Sequence, residues 1–369
     1  MVGKKQVRGL AKFLPEWTWN YTKRKPIASF NPSRIDTRRT TVAAPEYTLF
    51  SYNAASYTEQ EINLDEACSI SNGSGTIKWI NIDGLNIAHV ERLCKHFKVH
   101  PLIVEDILSQ GQRAKMDETG DLIFCLLPML YYNDGSGQIE TEQVSMVLGP
   151  DFLLSFQEDP ERDVFDAVRE RIRLGNTKLR QSSADYLCYS LIDVIVDSYF
   201  GIIDKMNDRI ERLEDSLLLQ KERAALEKIS ILRREIMVLR RSILPVRELV
   251  SSFIRSDSEL LEEQHEKYYK DVQDHIIQAN DYVESYRDML MNMQDLSMSQ
   301  INLRMNEVMK VFTLLATLMA PATVIGGIFG MNFDVIPLAH QEMGFFITVS
   351  IMLAIPLLMM IWFKRKGWF

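Results

Sequence analysis

Between residues 47 and 157 the apolar positions fall in short runs broken by turn residues. "YTLFSYN" and "TIKWINIDG" are strand-like. "DLIFCLLPMLYYNDGSGQIETEQVSMVLGPDFLLSFQED" reads as further strands, with turns at "NDGSG" and "LGPD". Between these stretches, "LNIAHVERLCKHFKVHPLIVEDIL" has a helical period on either side of Pro101. The pattern predicts a small α/β domain over residues 46–160, with no glycine signature for phosphate binding.

From Pro160 the period lengthens. "PERDVFDAVRERIRLGN" predicts a helix with Pro at its start. Residues 183–219 and 221–256 predict two long helices around "LLLQKERA", with a kink or an interruption at Pro245. Together they form a helical region over 161–256. A third helix is expected from near Asp257. Its apolar positions Val272, Ile276, Ala279, Val283, Tyr286, Leu290 and Met293 step by 4, 3, 4, 3, 4, 3, which is a heptad seam. Such a seam packs along a partner helix or against its own domain, and spacing does not choose between them. Neither Pro nor Gly occurs between Asp257 and Ala320. A helix continuing to Gly330 would be ~110 Å long, several times a bilayer core.

Two uncharged apolar runs follow, "VFTLLATLMAPATVIGGIFGM" (311–331) and "MGFFITVSIMLAIPLLMMIWF" (343–363). Each is long enough to span a bilayer, and membrane helices tolerate the single Pro in each. The link 332–342, with Asp334 and Glu342, is too short for a domain, so the chain predicts a hairpin. Arg304 and Lys310 precede the first run, and Lys364, Arg365 and Lys366 follow the second. The positive-inside rule then puts both termini, the soluble part and the basic tail 364–369 in the cytoplasm. A plasma (inner) membrane is expected, an organellar one being the alternative.

Along the first run, Asn306, Met309, Phe312, Ala316, Ala320, Thr323, Gly327 and Gly330 share one helical face, and most are small or polar. Helix packing and pore lining both fit, and Gly326 with Gly330 is a GxxxG match. Two spans cannot enclose a hydrated path, so a pore needs several copies around an axis.

Average composition is ordinary, at 46% hydrophobic and 25% charged over 369 residues. Local charge is not. Residues 1–45 form a basic arm: Lys4, Lys5, Arg8, Lys12, Lys23, Arg24, Lys25, Arg34, Arg38 and Arg39 face only Glu16 and Asp36. A solvated, disordered arm, an anionic-lipid contact and a transit peptide all fit, and no apolar signal core is present. Residues 257–295 carry eleven Asp/Glu against Lys267, Lys270 and Arg287, and so call for cations nearby. The four cysteines have no CxxC spacing, which fits a reducing compartment. Cys94, His96 and His100 lie close, but Pro101 follows and no fourth zinc ligand is evident. His265 and His275 read as surface residues, and "MLMNMQDLSM" as flexible packing. No catalytic constellation, Walker motif or intramembrane titratable residue is present, so no enzyme and no nucleic-acid partner are expected.

"NEVMKVFTLLATLMAPATVIGGIFGMNF", the second span and "KRKGWF" closely resemble the CorA family of divalent-cation channels. Gly330-Met331-Asn332 matches the family's signature tripeptide. The likeness extends through "HPLIVEDIL" (100–108), "ADYLCYSLIDVIVDSYF" (184–200) and "KDVQDH" (270–275), over roughly residues 95–369. It implies a homopentameric Mg²⁺ channel: an α/β cytoplasmic domain, long helices forming a funnel, and a two-helix transmembrane hairpin. Mg²⁺ dehydrates reluctantly, so a ring of Asn332 carbonyls with backbone carbonyls near Gly330 would hold the hydrated ion. Asp334 and Glu342 would concentrate cations at the outer mouth. Asn306 would form a polar ring at the inner end, and Met309 and Phe312 apolar rings suited to gating by dewetting.

The resemblance also implies feedback, with cytoplasmic Mg²⁺ between subunits holding the pore closed. The matching carboxylates are Asp106 and Asp271, with Glu105 beside the first. Asp193 and Asp197 match a second site more loosely. The sequence departs from the family pattern at Phe312 and Ala320, where familiar members have Leu and Met, and at Phe329, where Tyr is usual. Co²⁺ and Ni²⁺ are expected to permeate as similar hydrated divalents. Rival readings are a Co²⁺/Ni²⁺ or Zn²⁺ transporter of this architecture, or a membrane-anchored coiled-coil scaffold. The zinc-transporting ZntB relatives tend to have valine at the position of Met331.

Overall fold

A computed structural model describes residues 45–70, 75–133, 135, 137–159, 162–218, 225–331, 336–338 and 341–367. Its sheet has seven strands: β1 (Glu46–Tyr52), β2 (Tyr57–Ile62), β3 (Ile77–Asp83), β4 (Lys115–Thr119), β5 (Leu122–Asn133), β6 (Gln138–Leu148) and β7 (Phe152–Gln157). The order is β2-β1-β3-β7-β6-β5-β4, and β3 runs parallel to β7 at its centre. Central strands are buried on both faces and read as continuous apolar runs. The two edges are the solvated "YTEQEI" and the half-buried "KMDET", both mostly polar. Those two strands are not predicted above, because an edge strand carries no apolar period.

The helices are α1 (Leu64–Ala67), α2 (Ile87–His96), α3 (Pro101–Leu108), α4 (Asp166–Arg173), α5 (Lys178–Gln181), α6 (Ala184–Leu218), α7 (Ala225–Arg255), α8 (Glu266–Phe329) and α9 (Gly344–Arg365). The chain divides into two compact units. The first holds the described residues up to Met129, with 141–194 and 248–269; the second holds 130–140, 195–247 and the described residues from Lys270 onward.

In the first unit, alternation along β3 sends Ile80 and Ile82 to one face, where they join Leu154, Phe156 and Val147. That face packs on Val90 and Leu93 of α2 and on Ile103 and Ile107 of α3. The opposite face carries Trp79, stacked on Phe50 at 4.8 Å and edge-on to Phe165 at 6.0 Å. Trp79 Nε1 donates to Ser155 Oγ at 2.8 Å, and Ser155 Oγ donates to Asn81 Oδ1 at 2.6 Å. At the start of α6 the buried Asp185 accepts from Ser183 Oγ, the Glu262 N–H and the Tyr186 N–H, and pairs with His265 Nδ1 at 2.8 Å.

That cluster corrects two expectations. The long helix begins at Glu266 rather than near Asp257, because side-chain bonds at Ser256 and Ser258 and the Asp185 acceptor hold 256–262 out of helix. At 64 residues it is ~96 Å long. His265, expected at the surface, is buried. Nor does Pro245 break its helix: α7 runs through it, giving up one ladder hydrogen bond.

In the second unit α6, α7 and α8 lie side by side. Arg240 of α7 pairs with Glu284 of α8 at 2.5 Å, Arg233 reaches Gln294 at 3.3 Å, and Gln300 of α8 donates to the Leu217 carbonyl of α6 at 3.1 Å. The expected cations for the acidic segment therefore include Arg240 of α7. The whole heptad seam is buried within one chain. Its partners are the chain's own helices, which decides the alternative left open above.

Candidate functional site: an exposed helical stripe and its carboxylates

The distal part of α8 and all of α9 are apolar, uncharged over their central turns and almost wholly exposed. α6 is also long and apolar enough to cross a membrane, but most of its apolar stretch is buried inside the chain. The distal α8 and α9 meet along one face each. On α8 that face is Leu314, Thr317, Leu318, Pro321, Ala322 and Ile325; on α9 it is Gly344, Thr348, Met352, Ile355, Pro356, Met359 and Phe363. Gly326 also belongs to the contact, since a Cβ there would meet Met352 Cε at 3.8 Å.

Asn306, Met309, Phe312, Ala316, Ala320, Thr323 and Gly327 are all exposed, on the part of α8 that α9 leaves open, and Gly330 is exposed just past its end. A Cβ on Gly327 would meet nothing within 4 Å. The threonine hydroxyls of 313, 317 and 323 are spent on carbonyls one turn back. α8 ends at Phe329, and Gly330 N–H still reaches the Gly326 carbonyl at 3.0 Å. Met331 is exposed, whereas Asn332 and Asp334 lie outside the described residues. Glu342 is exposed just before α9. Gly344 is required there, because a Cβ would sit 1.9 Å from the Leu338 carbonyl oxygen.

The regulatory candidates fall on separate elements. Asp106 and Glu105 are on α3, whose first turn carries Pro101 behind an N-capping His100. Asp106 pairs with Lys115 at 2.7 Å, and its backbone carbonyl accepts from Gln143 Nε2 at 3.0 Å. Burial would lower the Lys115 ammonium, but hydrogen bonds to Asp106 and Asp117 outweigh it and hold it above its ordinary value. Glu105 lines a groove of about 550 Å³ between α2 and α3, with Glu91, Lys95 and Val104.

Asp271 is in the first turns of α8. Asp193 and Asp197 sit one turn apart on α6. The Tyr189 hydroxyl donates to Asp193 at 3.4 Å. Asp197 faces His275 Nδ1 at 3.5 Å, with Phe200 edge-on to the ring at 6.2 Å. Sequence reading placed His275 on the surface and missed this contact, because i, i+4 spacing on α6 does not show which turn of α8 lies opposite. Cys94, His96 and His100 do not converge: Cys94 is buried with its thiol pushed up to about 12 by burial, His96 Nε2 meets the Ile70 carbonyl, and His100 Nδ1 caps α3.

Residues 74–365 match the family described as CorA-like Mg²⁺ transporter protein. A cobalt/magnesium transport protein CorA from Thermotoga maritima is 38% identical over 324 residues, covering 88% of this chain and 92% of that protein. The complete structure of the CorA magnesium transporter from Methanocaldococcus jannaschii shares the fold with a TM-score of 0.73 at 22% identity, covering 87% of this chain and 98% of that one. Full-length CmaX gives 0.70 at 17% identity, covering 89% and 99%. The family match over most of the chain, together with the Thermotoga relative, shows that this chain belongs to the CorA-like family of Mg²⁺ transporter proteins.

Proposed function

We propose that this protein is a passive, potential-driven Mg²⁺ influx channel closed by intracellular Mg²⁺. The observation that carries the reading is the stripe from Asn306 to Gly330, small or polar at most positions and left uncovered by α9. A single copy cannot close a path around it, so five copies would arrange their first spans about an axis with α9 outside. The chain would cross the plasma membrane twice with both termini in the cytoplasm. Gly330, Met331 and Asn332 would ring the outer mouth, with Asp334 and Glu342 raising the local cation concentration.

Hydrated Mg²⁺ would be held by neutral oxygens without stripping its shell. A divalent ion gains about 4.6 kcal/mol per 100 mV on moving inward, so no coupled reaction is needed. Met309 and Phe312 would close the inner pore by dewetting. Mg²⁺ held between neighbouring copies by Asp106 and Asp271, with Glu105, Asp193 and Asp197 in support, would stabilise the closed form. Co²⁺ permeation is a second expectation, favoured by the name of the Thermotoga relative.

The test is Mg²⁺ uptake into proteoliposomes holding a Mg²⁺-sensitive dye, under an inside-negative potential. Asn332→Ala should abolish uptake, and Asp271→Lys should weaken inhibition by internal Mg²⁺. Folded, inserted protein that takes up no Mg²⁺ would defeat the reading.

A further inference from the structure

α8 carries a second apolar seam besides the buried one. Met298, Ile301, Met305, Val308, Phe312 and Leu315 step by 3, 4, 3, 4, 3, the spacing of a helix that packs along another. The first seam is buried, but these six residues are each 45–62% exposed. A heptad row turns only slowly about a helix. The second seam therefore keeps to one flank of α8 from its cytoplasmic part into the first apolar run.

Lipid can cover only the outer half of it. Val311 opens the uncharged run, and Met298 lies thirteen residues earlier, ~20 Å back along the helix. Headgroups add only about 5–8 Å to each side of the hydrocarbon core. Met298 and Ile301 therefore face water unless protein covers them. The chain's own long helices are engaged elsewhere. α6 and α7 lie along the seam of Val272 to Met293, and α9 covers Leu314, Leu318 and Ile325. Among the described residues, every position from Ile301 to Phe312 stays exposed.

The other flank of α8 has the opposite shape. Ser299, Asn306, Thr313, Ala320 and Gly327 recur every seven residues, all exposed and all short. The Thr313 hydroxyl is spent on the Met309 carbonyl at 2.8 Å, so it adds little to the surface. Around the helix the order is bulky seam, then Met309, Ala316 and Thr323, then the short row. A contact that joins two unlike flanks runs head to tail and closes into a ring. A contact of the bulky seam with itself would stop at a pair and enclose no path along the stripe.

We propose that the bulky seam of one copy, from Met298 to Leu315, seats against the short row of the next copy. Ile301 and Met305 enter the gap between Ser299 and Asn306. Phe312, at the edge of the stripe, belongs to both the seam and the pore face. The proposal rests on the channel reading and adds the surface that assembles it, part of which lies outside the membrane.

The test is disulfide mapping on the full chain in lipid vesicles. A Cys68→Ser background leaves only native thiols that are buried. Ile301→Cys/Ser299→Cys treated with diamide, which takes up the two electrons and two protons of each thiol pair, should give a ladder of cross-linked multimers. Either single variant should give several-fold less. A dimer from Ile301→Cys alone would show the seam pairing with itself and overturn the proposal, as would the absence of cross-links. Mg²⁺ uptake before oxidation separates the two readings. Uptake without a ladder sinks the interface and spares the channel, and a ladder without uptake does the reverse. Independently, Ile301→Asp/Met305→Asp should drive the detergent-solubilised protein to monomer, since both side chains are exposed on the single chain and the charges leave its fold alone. Ile231→Asp, at a comparably exposed apolar position on α7, should not. Dissociation in both variants, or in neither, would also overturn the proposal.

Discussion

Lys115 Nζ lies 2.7 Å from Asp106 Oδ2, so the carboxylate proposed above for Mg²⁺ feedback is held by a cation of its own chain. Any Mg²⁺ that uses Asp106 must compete with that ammonium. Lys115→Met should therefore shift closure by internal Mg²⁺ to about two- to fivefold lower concentration, the worth of a partly exposed ion pair. Mg²⁺ titration of protease protection, with uptake in parallel, reads this directly. An unchanged or rightward shift would remove Asp106 from the sensor.

Glu142 sets a pH dependence of stability. Its carboxyl rises from 4.5 in the unfolded chain to about 7 in the fold, chiefly through burial. The folded state thus holds its proton more tightly. The contribution is fully present below about 4.5 and is lost as pH rises through about 7, a span worth about 3 kcal/mol. Glu142→Gln keeps an oxygen for the Glu158 and Asp159 N–H groups and removes the charge. It should stabilise the protein at pH 8 by about 2–3 kcal/mol and change little at pH 4.5, measured by denaturant unfolding.

The buried seam makes a prediction that separates intrachain from intersubunit packing. Ile276→Ala should cost about 2–5 kcal/mol through the cavity it leaves. Because the seam closes within one chain, the fall in melting temperature should be the same across protein concentrations in detergent. A loss that deepens on dilution would mean the seam also holds copies together.

Arg209 binds Glu235 through both terminal nitrogens while its guanidinium lies over Tyr132 at 5.5 Å. Glu235 is only 5% exposed. Arg209→Met strands a buried carboxylate and should cost about 3 kcal/mol. Arg209→Met/Glu235→Met should recover most of that loss, read as a double-mutant cycle in urea.

If Phe312 closes the inner pore, Phe312→Ala should raise uptake at internal Mg²⁺ levels that silence the parent, while selectivity stays with the outer mouth. Uptake assays with Mg²⁺ and Co²⁺ check both halves. Unchanged block at high internal Mg²⁺ would move the gate elsewhere on the stripe.

Whatever depends on neighbours along the chain is legible in the order of the residues. The central strands, the helices around Pro101, the long helices and the two apolar runs follow from periodicity, charge and length, because burial on one or both faces writes itself into spacing. The signature around Gly330 carried the family for the same reason, being contiguous. The fold settles whatever depends on which distant side chain lies opposite. It showed the seam of Val272 to Met293 closing on the chain's own helices, since a heptad records that a partner exists and not which one. It delayed α8 to Glu266, because Asp185, some eighty residues upstream, takes the N–H and imidazole that shape the preceding turn. It added the edge strands β2 and β4, whose polar residues carry no period. And it brought Lys115 to Asp106 and His275 to Asp197, contacts set by the packing of separate elements rather than by any spacing in the chain.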